Sequence, residues 1–333
     1  MMHFNAFRVH TIAGQPHCRF EQLTLDDLDG GDVTIKVAYS SLNYKDAMAA
    51  RGIGKNVRTD RPCVTGIDLS GTVTASVDPR FKPGDKVLVT NYKLGNTHDG
   101  GFSEYARVPG DWIVPLPAGM SLFDAMALGS AGLTAALAVD RLESAGLTPA
   151  NGRVAVTGAS GAVGSLCVNI LAGRGYIVSA ISGKAHQEPF LREIGAAEIV
   201  SRQSLMETKE PLGPMLWAAA IDNVGGHMLD RVTSRISEYG KVAVVGMAVG
   251  FELTTTVLPL VLRAVDLLGI NVSRTLHMRE RVRLWQRLAT DFAPQKLHKL
   301  SRRVPFQKLN DSFDEFIEGT TVGHAVIEIG GDQ

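Results

Sequence analysis

Cysteine is scarce in this chain of 333 residues. There are three, Cys18, Cys63 and Cys167, too far apart for a CxxC pair or a dense disulfide framework. A reducing compartment, the cytoplasm, is expected. Net charge is also lacking: 34 Lys+Arg against 34 Asp+Glu leave zero. No overall field then draws the chain to nucleic acid or an anionic membrane, and neither is expected as a partner. The longest weakly polar run, residues 125–139, contains Gly, Ser and Thr and falls short of the roughly 18 apolar residues of a membrane span. The opening MMHFNAFRVHTIAG has no basic segment followed by an apolar one and reads as a strand rather than an export signal.

What is present fits a globular protein of about two domains: 45% of residues are hydrophobic and 20% charged. The first third holds short strands, DVTIKVAYS, GTVTASV, DKVLVT and RVPGDWIV, between turn-rich segments, which predicts a β-barrel-like domain. After Pro115 and Pro117 an Ala-rich helix is predicted over 121–143, capped by Ser121 with Asp124 three residues on. From Arg153 apolar strands alternate with helical windows: RVAVTG, helix 162–174, YIVSAIS, helix 187–195, AAEIV, WAAAIDNVG, helix 227–238 and KVAVVGM. That alternation predicts an α/β domain with a doubly wound parallel sheet. The last third adds VDLLGINV, a helix over 278–290 and the strand HAVIEIG. The expected organisation is a substrate domain over 1–124, a dinucleotide-binding domain over 125–264, and a segment, 265–333, that returns to complete the first.

The sharpest local signal is VAVTGASGAVG over 154–164, a strand running through glycines spaced by three into a helix. The first glycine, Gly158, permits a tight turn. The second, Gly161, lets backbone approach a pyrophosphate, and the third, Gly164, allows helix and strand to pack closely. The next strand ends in Ser182, Gly183 and Lys184, where an NAD site usually carries Asp or Glu for the ribose 2′-hydroxyl. A hydroxyl and a lysine suit a 2′-phosphate, and Arg202, after AAEIVS, can close on the same group. NADPH is the expected cofactor.

The segments SSLNYKDAMA, GIDLSGTV, DPRFKPGDKV, GGFSEYARVPGDWIVPLP, TGASGAVGS, AIDNVGG and LRAVDLLGI together resemble the zinc-independent medium-chain dehydrogenases/reductases. Within these, the chain is similar to the acryloyl-CoA reductase, AcuI/YhdH-type and quinone oxidoreductase-like group. The resemblance implies a GroES-like β-barrel domain plus a Rossmann domain, NADPH as cofactor, and a homodimer or higher homo-oligomer. Its cofactor contacts fall on Tyr44, Ser160, Gly161, Ala162, Val163, Ser182, Gly183, Lys184, Arg202, Met247 and Val261. Lys184 replaces a commoner Arg, Asn271 and Val272 stand where the group often has Asp-Ser, and His324 where it often has Arg. Zinc alcohol dehydrogenases carry GHExxG where this chain has Gly66-Ile-Asp-Leu-Ser-Gly71. With the His–Glu pair and a cysteine lobe both missing, no metal site is expected.

Asn43 and Tyr44, after the strand TIKVAYSSL, are the candidates for contact with the reacting group. A phenol can hydrogen-bond cofactor or substrate, relay a proton, or merely hold structure. Lys45 and Asp46 read as a local surface ion pair, and Asp68 as ordering its own turn. Asp222 reads as a strand-end cap, and His98 and His277 as solvated loop residues. Arg279, Arg283 and Arg287, four apart, form either a solvated face or a row for coenzyme A phosphates.

The expected activity is reduction of the 2,3-double bond of acryloyl-CoA to propanoyl-CoA by hydride transfer without metal. NADPH:quinone oxidoreduction is the alternative within the same fold. A noncatalytic NADPH-binding or nucleic-acid-binding protein is the alternative of another class.

Overall fold

The computed structural model describes residues 2–54, 57–207, 210–273 and 275–331. It divides into two compact units: Met1–Ala131 with Ser273–Ala289 and Ser301–Gln333, and Gly132–Val272 with Thr290–Leu300.

The second unit is built on six strands, Val154–Thr157, Val178–Ser182, Glu198–Ser201, Trp217–Asp222, Ile236–Val244 and Asp266–Gly269. Numbered along the chain, they stand 3-2-1-4-5-6 across the sheet, and every pairing is parallel. Helices on both faces cover the strands, so these read as near-continuous apolar runs. Val154–Thr157, for example, is buried at every position. Helix Ala162–Gly173 is buried from Gly164 through Leu171, consistent with its lack of a polar face.

The sequence reading differs from the fold at several element boundaries. The helix expected over 227–238 is Gly226–Thr233, because the β-branched Ile236 already pairs with Trp217. The strand it begins passes a register shift before continuing through Lys241. Arg202 begins a short helix, Arg202–Glu207, that the sequence pattern did not reveal. The strand from VDLLGINV, Asp266–Gly269, pairs with Ile236–Val244, so the chain leaves this unit after Val272 rather than at 264.

The first unit is mostly antiparallel. A seven-stranded sheet centres on Val33–Leu42, which pairs with Asp68–Ser76, Tyr105–Val108 and His324–Glu328. A three-stranded sheet joins Gln15–Leu23, Phe4–Ile12 and Cys63–Val64. Alternation along Val33, Ile35 and Val37 fills one core with Leu69, Val73 and Val87. A second core gathers Phe7, Leu42, Phe102, Phe306 and Phe313. Of the C-terminal segment, helix Met278–Leu288 and the last strand lie in this unit, whereas Thr290–Leu300 lies in the other.

Helix Leu122–Ser144 is interrupted at Gly129, whose φ of 50° and ψ of −151° are not helical. By length and apolar composition it could cross a membrane, although most of it is buried in the protein. The 15-residue run seen in the sequence understates it, because the helix extends beyond that run at both ends. The three cysteines are free, with Cys63 and Cys167 buried and Cys18 partly so. Burial pushes the Cys18 thiol up to about 11 and Cys63 to about 12, and raises Cys167 as well.

Candidate functional site

At the carboxyl end of the first Rossmann strand, Gly158 has φ +57°, and Gly161 N–H returns to its carbonyl at 3.0 Å. A Cβ at Gly164 would stand 2.2 Å from the same carbonyl oxygen, an impossible approach for any side chain. Gly161 is the N-cap of helix Ala162–Gly173 and has no side-chain cap. Helix N-termini leave backbone N–H groups without intrahelical partners and carry a partial positive charge. Ala162 and Val163 occupy that first turn and are half-buried, whereas the Ser160 side chain is buried. The geometry fits a pyrophosphate laid against backbone.

The second strand ends on Ser182, whose Oγ accepts the Lys184 N–H at 3.1 Å. Gly183 between them leaves room for a guanidinium, since a Cβ there would lie 2.7 Å from Cζ of Arg202. Burial, then the Arg202 charge, lowers the Lys184 pKa. Two cations held this close favour an anion of more than one charge. Beside them a cavity of about 460 Å³ is lined by Arg202, Met206, Val224, His227, Val249 and Glu252.

The fourth strand ends at Asp222, which is fully buried. Its Oδ1 accepts from Thr157 Oγ1 at 2.7 Å and its Oδ2 from Gly225 N–H at 2.8 Å, while burial raises its pKa. Asp222 therefore ties strand ends together, as the sequence reading held. Next to it Asn223 donates Nδ2 to the Thr157 carbonyl at 2.8 Å, and its buried Oδ1 has no partner. An orphaned acceptor beside the glycine loop fits a donor from a bound dinucleotide. Met247, 73% exposed, follows the fifth strand. Its Cα would be 3.1 Å from a Cβ at Gly225, which places it at the same sheet edge. Val261 lies apart in sequence, in the short helix Leu258–Leu262 that leads into the amino end of the last strand.

Asn43 and Tyr44 belong to the first unit. Tyr44 opens helix Tyr44–Ala50 and is 45% exposed. Asn43 precedes it and spends its amide internally, on Asp68 Oδ2 at 3.0 Å and Ser41 Oγ at 3.2 Å. Asp68 is the hub. It is fully buried and also accepts from Ser41 Oγ at 2.6 Å, Ser130 N–H at 2.8 Å and the Ser130 hydroxyl. It therefore joins three distant segments instead of ordering its own turn, as the sequence had led us to expect. A Cβ at Gly129 would meet Ser41, Asp68 and His324 within 3.0 Å. The break in the helix thus sits over this cluster. His324 Nδ1 lies 3.0 Å from the Ala127 carbonyl, a carbonyl left by the break.

Other readings of the sequence change as well. Asp46 is no surface ion-pair partner. It is wholly buried and accepts from Asn43 N–H at 2.9 Å and Ile67 N–H at 3.1 Å. Burial, with the nearby Asp68 charge adding to it, raises its pKa to about 7 against the two backbone bonds. His98 is half-buried against Trp112, at 5.0 Å between centroids, and its ring nitrogens contact the Asp99 and Gly30 carbonyls. Arg283 pairs with Glu280 at 2.9 Å. The arginine the sequence pattern passed over, Arg281, is fully buried; it sits on the apolar stripe with Leu284, Trp285 and Leu288. Among the described residues no group of three or more His, Cys, Asp or Glu could hold a metal ion.

Residues 29–118 match the Alcohol dehydrogenase GroES-like domain family, and residues 162–289 the Zinc-binding dehydrogenase family. The chain is 43% identical to the acrylyl-CoA reductase AcuI of Ruegeria pomeroyi, over 95% of its length and 96% of that protein's. It is 41% identical to YhfP of Bacillus subtilis, which bears a quinone oxidoreductase name, over 98% and 99% of the two chains. The crystal structure of yhfP with NAD bound has a TM-score of 0.95. The yhdH oxidoreductase of Salmonella enterica, in complex with NADP, is 41% identical, covers 98% and 99% of the two chains, and has a TM-score of 0.94.

Proposed function

Since this chain belongs to the medium-chain dehydrogenase/reductase family, in the group of the acrylyl-CoA reductases and the YhfP/YhdH quinone oxidoreductase-like proteins, we propose that it reduces the 2,3-double bond of acryloyl-CoA. It is an NADPH-dependent oxidoreductase of carbon–carbon double bonds, built from a GroES-like and a Rossmann domain. The observation that carries the substrate assignment is the 43% identity to an acrylyl-CoA reductase along nearly the whole chain.

When bound, NADPH supplies a hydride. The reaction then balances as acryloyl-CoA plus NADPH plus one proton giving propanoyl-CoA plus NADP⁺. The hydride forms a C–H bond at the β-carbon, the alkene π pair moves toward the thioester carbonyl, and a proton is taken up at the α-carbon. The chain's own residues bind, orient and stabilise. In this reading the first turn at Ala162 and Val163, with Ser160 and Gly161, holds the pyrophosphate. Ser182, Gly183, Lys184 and Arg202 surround the 2′-phosphate, Met247 lies at the same sheet edge, and Tyr44 and Val261 are further cofactor contacts supported by the family resemblance. Asn43 acts through its hold on Asp68 and the start of Tyr44's helix, and Tyr44 carries the exposed hydroxyl.

Self-association as a homodimer or larger oligomer is part of the proposal. Between residues 247 and 262 the side chains of Met247, Val249, Phe251, Leu253, Val257 and Val261 are 59–82% exposed. An apolar run of this kind beside the edge strand Asp266–Gly269 supports an interface. The protein acts on a small acyl thioester in the cytoplasm, with neither nucleic acid nor membrane as partner.

A steady-state comparison of acryloyl-CoA, crotonyl-CoA and simple quinones with NADPH tests the assignment. Saturable NADPH oxidation that requires the enoyl thioester supports it. Turnover of quinones alone moves it to the quinone reading, and no turnover with any of them leaves a binding protein.

A further inference from the structure

Segment 247–257 follows the fifth Rossmann strand and lies against the start of helix Gly226–Thr233. Val249 N–H donates to the Val224 carbonyl at 3.0 Å, and Gly250 pairs with Gly225 in a single parallel bridge. The approach needs a bare backbone, for a Cβ at Gly225 would stand 2.3 Å from the Gly250 carbonyl oxygen. Further on, Thr254 Oγ1 lies 3.3 Å from His227 Nδ1. The segment is thus tied to the helix at two places.

Its residues alternate between two surroundings, as along a strand. Gly250, Glu252 and Thr254 line the cavity of about 460 Å³ beside Arg202. Between them Phe251 and Leu253 are 82% and 59% exposed, and Val249 stands at the rim, lining the cavity while itself exposed. One thickness of chain therefore separates the candidate cofactor cavity from an apolar surface. That surface continues along the chain through Val257, Val261 and Leu262 toward the edge strand Asp266–Gly269. Its apolar side chains expose on the order of 900 Å², more than the largest patch of an ordinary monomer and close to one partner's share of a standard interface. A two-fold partner brings the same edge and the same face, so a second copy of this chain is a self-complementary cover. With zero net charge, no overall repulsion opposes it.

We propose that NADPH binding and self-association are coupled through segment 247–257. A second copy of the chain, seated on the outer face, holds the inner face in the form that receives the cofactor; bound cofactor holds the outer face in the form that receives the second copy. The proposal rests on the self-association put forward above. Coupling of this kind is reciprocal: whatever factor the cofactor adds to association, association adds to cofactor binding. A ligand acts this way only by binding one form better than the other, and the shared wall is what distinguishes the two forms here.

The test uses the full-length protein, sedimentation velocity over a range of protein concentrations, and fluorescence titration with NADPH. Saturating NADPH should lower the dissociation constant of the associated state by roughly 5- to 150-fold, the ordinary range of coupling. Diluted below that constant, the parent should bind NADPH correspondingly more weakly. The double variant Phe251→Ser, Leu253→Ser alters the outer face and brings no charge near the cavity. It should dissociate and bind NADPH with the weaker affinity of the dilute parent, and it carries the test if the parent stays associated at every concentration reached. An associated parent whose dissociation constant is the same with and without NADPH overturns the proposal. So does a double variant that stays associated, or one that dissociates and keeps the parent's NADPH affinity. Failure of the self-association itself looks different: the parent is a monomer at every concentration, with and without NADPH, and that outcome overturns both.

Discussion

Arg202 and Gly183 are fitted to one another, for a methyl on Gly183 would lie 2.7 Å from both Cζ and Nε of the arginine. The arginine reaches the end of the second Rossmann strand only because that position has no side chain. There it stands beside Lys184 and the Ser182 hydroxyl, where a carboxylate would favour NADH. Alanine at Lys184 or Arg202 should raise the KM for NADPH by about tenfold or more, as expected for a lost charge-assisted contact, and change the KM for NADH far less. Gly183→Ala should act in the same direction by displacing the guanidinium. Equal catalytic efficiency with both cofactors in the unmodified protein would remove this reading.

Gly164 and Gly161 invite a graded comparison. A Cβ at Gly164 stands 2.2 Å from the Gly158 carbonyl oxygen, whereas one at Gly161 stands 3.3 Å from it. Gly164→Ala should cost about 1–3 kcal/mol in stability through overpacking and weaken NADPH binding as helix and strand part. Gly161→Ala should be milder on both counts. Thermal unfolding and cofactor titration of the two variants check the order, and a reversed order would contradict the packing argument.

Asp46 predicts a pH dependence. Asp68, its neighbour, accepts two hydroxyls, an amide side chain and a backbone N–H, whereas Asp46 has two backbone N–H donors. Burial, with the Asp68 charge adding to it, raises the Asp46 pKa from 3.8 to about 7. A carboxyl that binds its proton more tightly when folded contributes stability that is complete below its unfolded pKa and is lost as pH rises through its folded one. The stabilising contribution should fade between about pH 4 and 7. The measurable form is the difference in thermal midpoint between the parent and Asp46→Asn as a function of pH. The parent should lose ground relative to the variant as pH rises across that window; a constant difference would place the Asp46 pKa elsewhere.

For Tyr44, removal of the hydroxyl separates the roles. Tyr44→Phe should cost roughly 10- to 1,000-fold in kcat if the phenol stabilises or protonates the reacting group. It should instead weaken NADPH binding with kcat retained if the phenol positions the cofactor. Unchanged kinetics would take Tyr44 out of the site.

How far the sequence could be read follows from where its information lies. The glycine loop was legible because its constraints are local: the turn at Gly158, the open helix end at Gly161 and the close approach at Gly164 occupy seven consecutive residues. The parallel strands were legible as apolar runs of the right spacing. The Asp68 hub was not, since its partners Ser41, Asn43 and Ser130 come from segments up to 62 residues away, and no periodicity links them. Asp46 looked like half of a surface ion pair with its neighbour Lys45; only the tertiary fold encloses it. Arg281 did leave a trace. An arginine three and four residues before Leu284 and Trp285 lies on the apolar stripe of its helix, whereas Arg279, Arg283 and Arg287 form the more regular spacing in the same helix.

The three cysteines have a bearing on regulation. Peroxide and mixed disulfides report on a protein through an accessible thiolate, and here burial holds every thiol in its protonated form. In the reading proposed, such an enzyme answers to the ratio of reduced to oxidised nicotinamide, and its protonated thiols make it a poor partner for exchange with the glutathione couple.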